Sequence, residues 1–127
     1  MKRREARTKA LQVLFQLDGS DLTVKEALSH VVEDEQVDTF LSSLVEGTWE
    51  NKEEIDQTIQ SNLENWTVNR LAKIDRNVIR LATYELKFQT ETPDKVVMNE
   101  AVEIAKTFGD DQSSKFVNSV LAKIHQG

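Results

Sequence analysis

The chain lacks cysteine altogether and has only one proline and four glycines in its 127 residues. Without cysteine there is no disulfide framework, no thiolate nucleophile and no cysteine-based zinc site. β-Sheet proteins of this size usually use more glycine and proline in their hairpins, so the scarcity of both favours helices joined by short turns. No apolar run approaches the roughly 18 residues of a membrane span. We therefore expect an all-α, intracellular protein that forms one domain over residues 1–127.

Apolar spacing and capping residues predict about seven helices and no strand. Thr23 and Glu26 fit a capping box, Asn51 and Asp75 are expected to cap later helices, and Gly109 is placed as a C-terminal stop. The acidic runs "DEQVD", "ENKEE" and "GDD" are interpreted as caps and solvated faces. The predicted segments cover residues 3–17 and 23–32, two helices starting near 38 and 51, a short turn at 68–74, and helices at 76–89, 94–108 and 114–125.

Positive charge is concentrated at the start of the chain, in "MKRREARTK". These nine residues have a net charge of +4, whereas the whole chain has −6. Three arginines lie where the helix macrodipole is already positive, which costs stability and favours an external anion over a merely solvated helix start. A phosphate backbone would supply that anion, because neutralising phosphates releases counterions. An anionic membrane surface suits the acidic remainder of the chain less well.

The first predicted helix has an unusually wide apolar surface. One face carries a core stripe, while Leu11 and Phe15 lie well round from it, on the side of Arg4. Two interpretations stay open: the helix is central and touches the core on two sides, or Leu11 and Phe15 face a partner protein. The stripe consists of Ala6, Ala10, Val13, Leu14 and Leu17.

The last predicted helix, in "SSKFVNSVLAKIHQ", places Phe116 at the edge of its apolar stripe, near Lys123. An aromatic ring between core and basic surface is well placed to stack on an unpaired base, a contact worth roughly 1–3 kcal/mol. The alternative is that Phe116 is a peripheral core residue, and the sequence pattern alone leaves both open.

Four motifs in order resemble the NusB family of bacterial transcription antitermination factors. They are "RREARTKALQVLFQ", "RLAKIDRNVIRLATYEL", "PDKVVMNEAVEIAKTFG" and "KFVNSVL", which together span essentially the whole chain. The resemblance implies an all-α fold of two crossed three-helix subdomains. It also implies a cytoplasmic bacterial protein that binds boxA RNA of ribosomal RNA leader transcripts jointly with the ribosomal protein NusE. That complex joins RNA polymerase, suppresses termination and supports rRNA synthesis; the resemblance leaves a homodimer open.

The same resemblance assigns site residues by matching positions. RNA contacts of the family fall on the N-terminal arginines and on the pair Lys115 and Phe116, and NusE contacts fall on Phe15 and Asp75. Two positions depart from the family pattern: Ser119 replaces a usual glycine, and Gln112 stands where some members have an acidic group. The arginines are Arg3, Arg4 and Arg7.

No enzyme is expected from these residues. His30 and His125 are isolated, no glycine-rich phosphate loop occurs, and neither a cofactor nor a metal is implied. The other hypothesis that the sequence leaves standing is a helical adaptor that binds only protein. Salt-dependent RNA binding would separate that adaptor from the RNA-binding factor.

Overall fold

The computed structural model describes residues 1–33 and 38–127, and within them the chain forms seven α-helices, one 3₁₀ turn and no strand. This confirms the all-α prediction. Residues 34–37, most of the "DEQVD" run, lie outside the described residues. The helices are α1 Arg3–Leu17, α2 Val24–Val31, α3 Thr39–Glu50, α4 Lys52–Ser61, α5 Lys73–Lys87, α6 Asp94–Phe108 and α7 Ser113–Gln126, and the 3₁₀ turn is Val68–Arg70.

Two clusters of buried side chains divide the helices into two groups of three, α1–α3 and α5–α7. The amino-terminal cluster is built from α1, α2 and α3, and Leu81 of α5 joins it. The carboxyl-terminal cluster is built mainly from α5, α6 and α7, with α4 and the 3₁₀ turn packed on it. Helix α5 contacts α1, α3, α4, α6 and α7, so it is the element that joins the two groups.

Helix α1 faces both clusters, which explains its wide apolar surface. Its predicted stripe is buried in the amino-terminal cluster, whereas Leu11, only 1% exposed, belongs to the carboxyl-terminal cluster. The partner-facing interpretation is therefore wrong for Leu11. Phe15 differs, because 37% of it is exposed.

Side-chain caps form at the starts of two helices, and two other predicted caps are wrong. Thr23 and Glu26 form the predicted capping box of α2, and the Asp38 carboxylate accepts the N–H groups of residues 40 and 41 at the start of α3. Asn51 instead donates from its side-chain nitrogen to the Gly47 carbonyl and so caps the end of α3. Asp75 is not a cap either, since α5 begins two residues earlier, at Lys73.

A cluster of ionic hydrogen bonds ties the start of α5 to the end of α1 and to α4. Asp18 Oδ2 accepts from Arg76 Nε at 2.8 Å and from the Asn77 amide at 2.9 Å. Arg80, 2% exposed, donates to both carboxylate oxygens of Asp56, at 2.8 and 2.9 Å. These ion pairs join residues that are distant in sequence, they are largely buried, and they fix where α5 begins.

The junction of α6 and α7 is equally well determined. Gly109 ends α6 as predicted, but with φ −93, so the left-handed conformation is not the reason for glycine. A β-carbon at this position would overlap the side chain of Ser113. The Ser113 hydroxyl accepts the Asp110 N–H at 3.0 Å, and the Asp110 carboxylate accepts the Gln112 N–H at 2.8 Å. These bonds set the start of α7 and hence the position of Phe116.

Candidate nucleic-acid and protein interface

Arg7, one of the predicted RNA contacts, is an interior residue. It is 3% exposed and forms two parallel hydrogen bonds to Glu85, from Nε at 2.9 Å and from Nη2 at 2.8 Å. Burial acts to lower the pKa of Arg7, but the hydrogen bond and charge of Glu85 outweigh it and raise that pKa. Arg7 therefore joins α1 to α5. Its donors are used on Glu85, which does not favour the predicted RNA contact.

Arg4 lies one turn earlier on the surface of α1. Its side chain is 71% exposed, and it donates from Nε and Nη2 to Glu100 of α6 at 3.1 and 2.9 Å. The hydrogen bond and charge of Glu100 raise the pKa of Arg4. Exposed ion pairs of this kind are weak, because water screens them. Arg4 thus remains available to an anion that competes with Glu100.

Arg3 is exposed and its guanidinium carbon lies 3.9 Å from the centroid of the Phe40 ring. This cation–π contact holds the side chain against α3 without using its N–H donors on a carboxylate. Arg3 and Arg4 therefore present two cations at the amino end of α1.

Phe15 lies near the opposite end of α1, about 18 Å from Arg3 along the helix axis at 1.5 Å per residue. The ammonium group of Lys73, the first residue of α5, lies 4.3 Å from the centroid of the Phe15 ring. The half-exposed ring and the lysine form a surface where α1 meets the start of α5. Aromatic side chains are enriched in protein–protein interfaces, so the exposed ring of Phe15 is a candidate protein contact.

Phe116 lies at one wall of an open cleft of about 330 Å³ between the 3₁₀ turn, the start of α5 and the start of α7. It is half-buried and packs against the carboxyl-terminal cluster, while its neighbour Lys115 is exposed. Asp75, 8% exposed, lines the same cleft. Phe116, predicted to contact RNA, and Asp75, predicted to contact NusE, thus line one cleft.

Two further lining residues, Trp66 and Arg70, were missed by the sequence reasoning. Trp66 is 55% exposed and stands in a turn whose residue Asn65 has φ 66. The side chain of Gln60 holds this turn: it donates to the Trp66 carbonyl at 2.9 Å and accepts the Val68 N–H at 3.0 Å. The signal in the sequence was a tryptophan inside the polar stretch "ENWTVNR".

The structure brings some predicted residues together and keeps others apart. Lys73 and Asp75 are on the first turn of α5, so this turn lies between the Phe15 surface and the Phe116 cleft. Arg3 and Arg4 lie at the far end of α1, and none of the contacts among the described residues joins them to Phe116. The two exposed arginines and the Phe116 ring are therefore not in direct contact in the described part of the chain.

Other kinds of site find no support in the described part of the chain. Within it, no three His, Asp or Glu side chains come together in a way that could hold a metal ion. No helix there is both long enough and apolar enough to cross a membrane.

These features define a class of small all-α proteins. Its members have two three-helix groups joined through α5, cations on the first helix and an aromatic cleft at the last. Within that class the chain belongs to the NusB family: the sequence model of that family matches residues 4–126.

Individual relatives agree over nearly the full length. The transcription antitermination protein NusB of Lysinibacillus sphaericus (strain C3-41) is 58% identical over 123 residues, which are 97% of this chain and 96% of that protein. T. maritima NusB superposes with a TM-score of 0.89 at 39% identity and covers 99% of this chain and 92% of its own. The crystal structure of antitermination factors NusB and NusE in complex with dsRNA matches with a TM-score of 0.87 at 30% identity and covers 98% and 96%.

Proposed function

We propose that this chain is a transcription antitermination factor that binds boxA RNA of ribosomal RNA leader transcripts together with NusE, and so supports rRNA synthesis by RNA polymerase. The observation that carries the proposal is the full-length similarity to transcription antitermination protein NusB, combined with the likeness to a NusB that was crystallised with NusE and dsRNA. The factor acts by binding, without a catalytic step or a cofactor, in the bacterial cytoplasm.

For the RNA contacts we propose Arg3, Arg4, Lys115 and Phe116. The three cations are exposed and can exchange water or, for Arg4, the Glu100 carboxylate for phosphate oxygens. Phe116 offers a ring at the edge of a cleft, where an unpaired base can stack. Arg7 supports this surface indirectly, by holding α1 in place.

For the NusE contact we propose Phe15, together with Lys73, whose ammonium group lies over its ring. Asp75 lines the Phe116 cleft, and we therefore propose it on the RNA side of the first turn of α5. The net charge of −6 also suits a basic ribosomal partner by long-range attraction.

Titration of a boxA oligonucleotide at several salt concentrations tests RNA binding. Three phosphate contacts, from Arg3, Arg4 and Lys115, should make log affinity fall with log salt at a slope of about −2, at roughly 0.7 per contact for single strands. The Arg4→Ala variant should reduce the slope by about 0.7, whereas Lys25→Ala, an exposed cation on α2, should leave it unchanged. A scrambled oligonucleotide controls for sequence preference.

A protein-only adaptor is the second candidate, and a specific observation favours it: of the three N-terminal arginines, Arg7 is buried and Arg4 is paired with Glu100. RNA affinity that is too weak to measure, or that ignores salt concentration, combined with intact NusE binding, would establish the adaptor and exclude the RNA-binding function.

A further inference from the structure

The cleft that contains Phe116 has a second aromatic wall and an acceptor inside it. Trp66, Arg70, Asp75 and Phe116 line the same cleft of about 330 Å³, a volume in the range of small-molecule sites. Trp66 is 55% exposed although large aromatic side chains are usually buried. Because Gln60 anchors the Trp66 turn from both sides, the ring is displayed on an ordered segment.

Asp75 is the unusual residue of this cleft. It is 8% exposed, and its Oδ1 atom is buried with no hydrogen-bond donor near it among the described residues. Buried carboxylate oxygens normally accept hydrogen bonds, since leaving one without a donor costs free energy. The Asp110 carboxylate, also in the cleft, differs because it accepts the Gln112 N–H and the Ser113 hydroxyl. Asp75 therefore has unused acceptor capacity at the edge of an open cleft, and a rotation of the carboxylate about its Cβ–Cγ bond turns the covered Oδ1 atom toward a ligand there.

These groups together fit a planar ring that carries N–H donors on its edge. Trp66 and Phe116 supply aromatic faces, and the Asp75 carboxylate accepts only. A guanidinium from a protein partner has the same shape, but it would meet the positive charges of Arg70 and of the neighbouring Lys115. A nucleotide would meet them favourably, because its phosphate is an anion.

We propose that this cleft binds one unpaired guanine of RNA, with Asp75 as the group that reads its edge. Guanine presents two adjacent donors, N1–H and the 2-amino group, and a carboxylate accepts both at once. Uracil presents a single N–H between two carbonyl oxygens, which the carboxylate repels, so it is disfavoured. Adenine and cytosine offer one amino group and rank between the two. The base stacks on Trp66 or Phe116, beside the exposed cation Arg70. This proposal rests on the proposed RNA binding and adds base selectivity to it.

Fluorescence anisotropy with labelled octauridylate, and with the same oligonucleotide carrying one central guanosine, inosine or adenosine, tests the selectivity. The guanosine oligonucleotide should bind on the order of ten-fold more tightly than octauridylate, within the discrimination that a two-donor pair provides. Inosine, which lacks the 2-amino group, should fall between them. In Asp75→Asn the advantage of guanosine should shrink toward that of inosine, because the amide offers one acceptor and adds donors.

Asp111→Asn is the matched control, since it removes the same charge from an exposed residue outside the cleft and should keep the guanosine preference. Circular dichroism and thermal melting check that both variants are folded. Equal binding of guanosine and uridine oligonucleotides, or an undiminished preference in Asp75→Asn, overturns the guanine site while leaving RNA binding intact. Loss of NusE binding in Asp75→Asn with unchanged base preference also overturns it and assigns Asp75 to the protein partner. Absence of binding by every oligonucleotide, including the boxA oligonucleotide, overturns the proposed function itself.

Discussion

Arg4 and Arg7 are three positions apart on one helix, yet their environments are opposite. Arg4 has a 71% exposed side chain and pairs with Glu100 at the surface, whereas Arg7 is 3% exposed and holds Glu85 by two hydrogen bonds. The two pairs are linked, because Arg7 Nη1 also lies 3.9 Å from Glu100. The first arginine is therefore free to exchange partners, and the second is part of the interior.

Arg7→Ala should destabilise the protein by about 3–5 kcal/mol, because removing one partner of a buried ion pair leaves the Glu85 charge uncompensated. Urea unfolding followed by circular dichroism measures the change. Arg3→Ala, on an exposed side chain, should change the free energy of unfolding by less than about 0.5 kcal/mol. An Arg7→Ala variant with unchanged stability and weakened RNA binding would return Arg7 to the RNA surface.

At the scale of elements, α5 is the helix on which both proposed surfaces depend. Its first turn carries Lys73 against Phe15 and Asp75 in the Phe116 cleft. The position of that turn is fixed by Asp18, at the end of α1, which accepts hydrogen bonds from Arg76 and Asn77. Burial acts to raise the pKa of Asp18, but these hydrogen bonds and the arginine charges outweigh it and lower that pKa below its ordinary value of 3.8.

Asp18→Asn should therefore reduce stability at neutral pH by on the order of 2 kcal/mol, the scale of lost hydrogen bonds to charged groups. A lowered pKa in the folded state means that the carboxylate stabilises the fold fully above pH 3.8, its ordinary pKa, and loses this effect as pH falls through the folded pKa. The stability difference between the parent protein and Asp18→Asn should thus shrink in acid. Thermal unfolding from neutral pH down to acid measures it, and a difference that does not change with pH would contradict the role of the Asp18 charge.

At the scale of the whole molecule, the residues proposed for RNA and for NusE occupy distinct parts of the surface. Arg3 and Arg4 lie at one end of α1, Phe15 at the other, and Phe116 across the first turn of α5. The basic start of the first helix attracts RNA, and the net negative charge of the whole chain attracts a basic protein. Because these surfaces are separate, a single substitution should weaken binding of one proposed partner and leave binding of the other intact.

Phe15→Ala should weaken NusE binding without altering RNA affinity, because the ring contacts Lys73 and lies outside the Phe116 cleft. Phe116→Ala should do the reverse. Phe108→Ala is a matched control, since Phe108 is 38% exposed against 37% for Phe15 but is on α6. Gel filtration with NusE and anisotropy with RNA give the two readouts. Loss of both partners in Phe15→Ala, with the fold intact, would show that the surfaces are not separable.

The sequence was sufficient for features that depend on neighbouring residues. The bounds of α1, the Thr23–Glu26 capping box and the end of α6 at Gly109 all follow from periodicity and local hydrogen bonding, and the structure confirms them. The motifs also carried the family resemblance, which the comparison over residues 4–126 confirms. The assignment of one domain to residues 1–127 and the functional roles of the individual site residues stay predictions.

Tertiary packing decided what a single helix cannot. Helical periodicity places Leu11 and Phe15 on the same side of α1, but only the packing of α5–α7 against that side buries Leu11 and leaves Phe15 half-exposed. The sequence does not distinguish Arg7 from Arg3 and Arg4. Arg7 is buried because it pairs with Glu85 of α5, a residue distant in sequence. The sequence predicts Asp75 as a helix cap, whereas the structure shows a buried carboxylate in a cleft formed by three elements. Burial and ion pairing depend on which residues, distant in sequence, come into contact. Local sequence determines only which side chains share a helix face.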